Sequence, residues 1–87
     1  MAAKAVFDRI TVVLREVFDD DDLVATEDLT APRVNGWDSL GNVRLFLEIE
    51  KEFSVRFSAT EISSLKNVGQ LAELIEAKTR NSDARGM

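Results

Sequence analysis

Residues 36–40, GWDSL, and residues 41–53, GNVRLFLEIEKEF, form the stretch that decides the fold of this chain. In the second part, apolar residues recur at spacings of three and four, which predicts an amphipathic helix over residues 39–53. A Ser or Asp just before such a run is usually the N-cap of the helix. Ser39 therefore has two interpretations: it is a helix cap, or it is the residue that carries the chemistry of the chain.

The predicted helix has a core face and a half-exposed flank that runs down from Ser39. When successive residues are placed about 100° apart, the core face consists of Asn42, Phe46, Ile49 and Phe53, with Val43 and Leu45 at its edges. The flank consists of Leu40, Arg44, Leu47 and Lys51. Half-exposed Leu side chains rimmed by charge are typical of a docking surface, although each Leu alone could also be an ordinary edge of the core.

Composition restricts the possible functions of the chain. It contains no Cys and no His, so it cannot form a disulfide or a Ser-His or Cys-His nucleophile pair, and no transition-metal site is expected. No closely paired carboxylates suggest a general acid and base, so we expect no catalytic residue and no autonomous enzyme. Reactive chemistry would have to come from a cofactor or from a partner enzyme.

Length and charge predict a small acidic protein. Eighty-seven residues make one domain with a small core. No apolar run approaches the roughly 18 residues of a membrane span, and the first residues lack the apolar core of a signal peptide, so we expect a cytoplasmic location. We also expect the protein to be a monomer. The net charge of −5 argues against nucleic acid as a partner. It suits partners with basic docking surfaces, or it serves solubility alone.

Four consecutive carboxylates, Asp19 to Asp22, follow a first predicted helix over residues 4–18. Like charges at a helix C-terminus oppose the macrodipole, so this helix should end there. A calcium loop would need oxygen ligands at positions 1, 3 and 5 and a Gly at position 6. Counted from Asp20, these last two positions are Val24 and Ala25. We therefore expect no metal site.

The segment between the first two helices, residues 19–38, is long for a connection in a compact domain. It is not disordered in composition, because apolar residues are spaced along it. We expect these residues to hold the segment across the helices: Leu23, Val24, Leu29, Val34 and Trp37.

Two further helices are predicted after residue 53. Ser58 and Glu61 form a capping box that begins a short third helix. Asn67 caps a fourth helix, with Gln70 in the capping-box position, and the apolar pattern ends near Lys78. The chain is thus an all-α bundle of three main helices and one short one. It has a domain over residues 1–78 and a polar tail over residues 79–87 that frays.

These features together resemble the acyl carrier protein family over about residues 4–78, and the most specific part is Gly36-Trp37-Asp38-Ser39-Leu40. The resemblance implies that Ser39 is esterified with 4′-phosphopantetheine, which a phosphopantetheinyl transferase transfers from coenzyme A. The prosthetic thiol then carries an acyl or aminoacyl group as a thioester. The resemblance also implies that Asp38 and Leu40 belong to the motif that the transferase recognises.

The resemblance further implies a set of partners and a docking face. The partners are the transferase, an enzyme that loads the acyl or aminoacyl group, and downstream transferases or synthases. Leu40, Arg44, Leu47 and Lys51 are expected to contact them.

Two positions depart from the members that serve fatty-acid synthesis. Arg44 stands where an acidic residue is usual, and Gly41 stands where larger or acidic residues are common. With Trp37, they favour a stand-alone carrier dedicated to one pathway, such as polyketide, nonribosomal peptide, modified lipid or surface polysaccharide synthesis.

The alternative is a small helical interaction module in which Ser39 is only a cap. In that case Leu40, Arg44 and Leu47 bind a partner and no prosthetic group is attached.

Overall fold

The computed structural model describes residues 2–85, with side-chain surroundings for residues 2–80. Within this range the chain forms four α-helices and one short 3₁₀ turn, and it contains no strand. The helices are α1 (Lys4–Phe18), α2 (Ser39–Phe53), α3 (Ala59–Ser64) and α4 (Val68–Arg85), and the 3₁₀ turn covers Ala31–Arg33. The predicted all-α fold is confirmed, and α1 and α2 have the predicted bounds.

Helix α1 ends where the row of carboxylates begins. Asp19 adopts a left-handed conformation with φ of 51°, and its backbone N–H donates to the carbonyl of Arg15. This geometry closes the last turn before the next three Asp residues could extend the helix. Among the side chains that the structure describes, residues 2–80, no three Asp, Glu, His or Cys come together as a metal site would require.

The core lies between α1, α2 and α4. Its fully buried large side chains are Ile10, Leu14, Leu45, Ile49, Val68 and Ile75. At the far end of α2 from Ser39, the Arg9 guanidinium lies 4.3 Å from the centroid of the Phe53 ring, and its Nε is 3.0 Å from a Glu52 carboxylate oxygen. Since Phe18 of α1 meets the start of α2, the two helices run antiparallel.

The connection between α1 and α2 is fixed to α1 by two hydrogen bonds. Arg15 Nε donates to the Leu23 carbonyl at 2.8 Å, and the Ala25 N–H donates to Thr11 Oγ1 at 2.9 Å. This second bond turns Ala25 into the core and leaves Val24 54% exposed, so the prediction that Val24 anchors the segment is wrong. The other predicted anchors are buried or packed against the core: Leu23, Leu29, Val34 and Trp37.

The same connection also caps α4. The N–H groups of Val68 and Gly69 donate to the carbonyls of Leu29 and Glu27, both at 2.9 Å. These are N–H groups of the first turn of α4, which have no partner inside the helix. Two carbonyls of the connection therefore accept hydrogen bonds from two N–H groups of α4, so that both the donors and the acceptors have partners.

The capping box of α3 is confirmed. The Glu61 N–H donates to Ser58 Oγ at 3.1 Å, and the Ser58 N–H donates to Glu61 Oε1 at 2.9 Å. The Ser58 N–H, and then the Lys78 ammonium 3.0 Å from the carboxylate, lower the pKa of Glu61. Helix α3, which has no buried residue of its own, is thus tied to α4 by a half-exposed ion pair.

Helix α4 begins as predicted but ends later. Asn67 Oδ1 accepts from the Gln70 N–H at 2.8 Å, which confirms Asn67 as the cap, while Gln70 Oε1 accepts from Lys66 rather than from Asn67. The end predicted near Lys78 is wrong, because the helix continues to Arg85. No Gly or Pro interrupts residues 79–85, so this polar segment continues the helix beyond its apolar stripe. Of the predicted frayed tail, Gly86 and Met87 lie outside the described residues.

None of the helices in residues 2–85 combines the length and the apolarity that crossing a membrane requires.

Candidate functional site

Ser39 is the first helical residue of α2, and it is not the cap. Asp38 is the N-cap: its Oδ1 accepts from the Gly41 N–H at 2.8 Å, and its carbonyl accepts from the Asn42 N–H at 2.8 Å. The interpretation of Ser39 as a cap is therefore wrong, because the neighbouring Asp performs that role. Ser39 lies one position later, and its hydroxyl takes no part in capping the helix.

The Ser39 hydroxyl is exposed and forms no hydrogen bond with any described group. The backbone N–H groups of Ser39 and Leu40 also donate to no described acceptor. These groups lie at the positive end of the helix dipole, which favours an anion. With no His or Cys in the chain and with the Asp38 carboxylate engaged as cap, nothing is in place to activate Ser39 as a nucleophile. The structure thus places an exposed hydroxyl without a hydrogen-bond partner among the described residues at the start of α2.

Trp37 fixes the backbone just before Ser39. Its ring stacks on Phe18 of α1, with ring centroids 5.7 Å apart and planes inclined by 26°. Its indole Nε1 donates to Asn42 Oδ1 at 2.9 Å. Asn42, placed on the core face by the helical wheel, is in fact half-buried and serves as this acceptor. One side chain thus connects α1, the connection and α2 at the site.

Two glycines let the connection approach α2 closely. Gly36 has a φ of +89°, in a turn closed by the Trp37 N–H donating to the Val34 carbonyl at 3.2 Å. Gly41 is buried against this turn, and a Cβ built on it would lie 2.1 Å from the Gly36 carbonyl oxygen. From the sequence alone, Gly41 is only a departure from a family pattern, whereas in the structure it makes this contact possible. The sequence indicates this contact only by position, because Gly36 and Gly41 lie on either side of Asp38 and Ser39.

The outer face of α2 carries three exposed apolar side chains. Leu40 is 69% exposed, Val43 56% and Leu47 55%. Leu40 and Leu47 are therefore surface residues rather than edges of the core. Val43, which the wheel placed at the edge of the core, is on this outer face, and Leu45, placed at the other edge, is fully buried. The buried residues of α2 are Gly41, Leu45, Phe46, Ile49 and Phe53, so the buried face includes Gly41 and excludes Val43.

The four predicted docking residues are spread along α2 over about three helical turns after Ser39. Leu40, Arg44, Leu47 and Lys51 are all exposed. A small cavity of about 90 Å³ lies on the other side of the helix start, where Trp37 and Asn42 form part of its wall together with Ile62 and Leu65 of the α3 region. Ser39 itself does not line this cavity.

Comparison with known proteins finds both a family model and solved structures that are similar to this chain. A family model described as a phosphopantetheine attachment site matches residues 8–75. The solution NMR structure of a holo acyl carrier protein from Geobacter metallireducens superimposes with a TM-score of 0.84 at 36% sequence identity, over 88% of each chain. No curated protein matches the chain.

Proposed function

Because this chain belongs to the phosphopantetheine-attachment family of acyl carrier proteins, we propose that Ser39 is the residue to which its prosthetic group is joined. The protein is a non-catalytic carrier, and its covalent cofactor is 4′-phosphopantetheine. The observation that carries the assignment of Ser39 is its free hydroxyl at the start of α2, beside a cap that Asp38 supplies alone.

The residues around Ser39 fit a phosphodiester. The unpaired N–H groups of Ser39 and Leu40 can donate to its oxygens, and the helix dipole stabilises its negative charge. The exposure of Ser39 leaves room for a long arm. When bound, the group supplies the thiol that a chain without cysteine lacks. The chain itself supplies a fixed point of attachment, held by Trp37 and Gly41.

We further propose that partner enzymes bind to the outer face of α2. The transferase recognises Asp38 and Leu40 beside the acceptor hydroxyl. Leu40 and Leu47, both more than half exposed, provide apolar contact, and the exposed cations Arg44 and Lys51 provide charge. A partner that covers exposed apolar side chains removes them from water, which favours binding, and such side chains are common anchors of an interface.

We propose that the cargo is an acyl group, or alternatively an aminoacyl group. The carrier is proposed to serve one dedicated biosynthetic pathway. Arg44 supports a partner set different from that of a general fatty-acid carrier. Gly41 carries less weight in this assignment than the sequence suggested, because its contact with Gly36 is a sufficient structural reason for it. The choice among lipid, polyketide, peptide and polysaccharide synthesis rests on resemblance alone.

Intact mass spectrometry tests the attachment site. The full chain is incubated with coenzyme A, Mg²⁺ and a broad-specificity phosphopantetheinyl transferase, together with Ser39→Ala and the matched control Ser63→Ala. Ser63 is also an exposed helical serine, and its hydroxyl only donates to the Thr60 carbonyl. We expect one added phosphopantetheine unit in the wild type and in the control, and none in Ser39→Ala. Addition that persists in Ser39→Ala, or a folded wild type that gains nothing, would contradict the assignment.

A further inference from the structure

Leu47 stands as a ridge between two shallow depressions on the outer face of α2. The depression on one side is lined by Glu16, Val17, Arg44, Leu47 and Glu48. The depression on the other side is lined by Leu47, Glu50, Lys51, Ser54, Val55 and Arg56. Each depression therefore contains an arginine, and the two arginines flank one exposed apolar side chain.

The carboxylates of α2 already have partners. Glu48 lies 3.6 Å from the Lys51 ammonium, Glu50 accepts from the Phe57 N–H at 2.9 Å, and Glu52 accepts from Arg9 Nε at 3.0 Å. The first of these pairs is exposed and weak, but the other two hold their carboxylates toward neighbouring segments.

The two arginines that flank Leu47 are in the opposite condition. Neither the Arg44 nor the Arg56 guanidinium has an ion-pair or hydrogen-bond partner among the described residues, and both residues are exposed. Glu16 shares a depression with Arg44 without reaching ion-pairing distance. The charges left uncompensated beside Leu47 are thus two guanidinium groups against the single carboxylate of Glu16.

We propose that this face binds a partner whose surface has an apolar socket for Leu47 with a carboxylate on each side of it. A guanidinium presents a planar fork of donors that matches a carboxylate with two parallel hydrogen bonds, so an unpaired Arg specifies this acceptor better than a Lys would. The net charge of −5 suggested a basic partner surface, but at interface range the local unpaired charges decide complementarity. The inference rests on the proposed docking role of α2.

Solution NMR with two designed peptides tests the sign of this complementarity. Both peptides are amphipathic helices with the same Leu stripe, and one carries Glu and the other Lys along the edges of the stripe. Each is titrated into the ¹⁵N-labelled full chain, as the wild type, as Arg44→Glu/Arg56→Glu, and as the control Lys4→Glu/Arg80→Glu. The control makes the same change in net charge at two exposed cations on α1 and α4. A Ser39→Ala protein is titrated in parallel, so that the docking result does not depend on whether Ser39 carries the prosthetic group.

We expect the acidic peptide to shift amide resonances of residues 40–56 and to bind more tightly than the basic one, more weakly as salt is raised. Reversing Arg44 and Arg56 should weaken its binding about tenfold, and the control should change it less than about twofold. Tighter binding of the basic peptide to α2, equal weakening in both double variants, or no shifts on α2 with either peptide would overturn the proposal.

Discussion

The change Gly41→Ala should destabilise this protein, although Ala is the better helix former. In an ordinary helix the change would add up to about 1 kcal/mol of stability. Here the new Cβ would lie 2.1 Å from the Gly36 carbonyl oxygen and 3.0 Å from Phe18 Cε1, so one backbone segment must move. Both neighbours resist, because the first is backbone in a hydrogen-bonded turn and the second is a ring stacked on Trp37.

The magnitude follows from these opposing terms. Inserting a methyl group into a packed contact costs about 1–3 kcal/mol, and weakening the Trp37 stack and its hydrogen bond adds about 1 kcal/mol. After subtraction of the gain in helix propensity, the free energy of unfolding should fall by about 1–3 kcal/mol. In a domain of this size that lowers the melting temperature by about 5–20 °C.

Two measurements check this expectation. Thermal and urea unfolding give the change in stability, with Val43→Ala as the control for an exposed α2 residue that should change it by less than about 0.5 kcal/mol. Trp37 is the only tryptophan, so its emission in the folded variant reports movement of the segment before Ser39. A Gly41→Ala protein as stable as the wild type, with unchanged emission, would refute the argument that the Gly36 contact requires this glycine.

Three further outcomes are expected. Asp38→Ala should lower the free energy of unfolding by about 1 kcal/mol, because it removes the cap, whereas Ser39→Ala should lower it by much less; equal losses in urea unfolding would contradict the cap assignment. The carboxylate of Glu61 is stabilised in the fold, so its contribution is present above its ordinary pKa of about 4.3 and is lost as pH falls through the lowered pKa. Glu61→Gln should therefore be less stable at pH 7 and lose less stability on acidification, and an unchanged acid dependence of urea unfolding would argue against the bonds that the Glu61 carboxylate makes to the Ser58 N–H and to Lys78. Leu47→Asp should keep its helical circular dichroism, because the residue is 55% exposed, and should slow acyl transfer to partner enzymes; loss of the fold would place Leu47 in the core.

The bounds of α1 and α2 could be read from the sequence because local signals agree there. Apolar spacing, the cap and the terminating carboxylates all point to the same limits, which the structure confirms. The end of α4 could not be read in this way. Past Lys78 the apolar pattern stops, and only the absence of Gly and Pro indicates that the backbone continues.

The errors at Val24 and Val43 have a tertiary cause. A helical wheel gives the angle between residues but not the angle at which the neighbouring helix packs. On α2, Phe18 of α1 and the Gly36 turn approach the buried Gly41 closely, and Val43 lies on the exposed face instead. On the connection, one hydrogen bond to Thr11 decides that Ala25 and not Val24 faces the core.

The same tertiary contacts explain why Ser39 could be singled out from the sequence while its surroundings could not. A Ser after an Asp at a helix start is ambiguous, because either residue can cap. In the structure three nearby residues have structural roles: Asp38 caps the helix, Trp37 stacks on Phe18 and donates to Asn42, and Gly41 allows the close approach of the turn. Only the Ser39 hydroxyl is left free. This supports the proposed attachment at Ser39, because a group joined to a side chain without a structural role would leave the small core undisturbed.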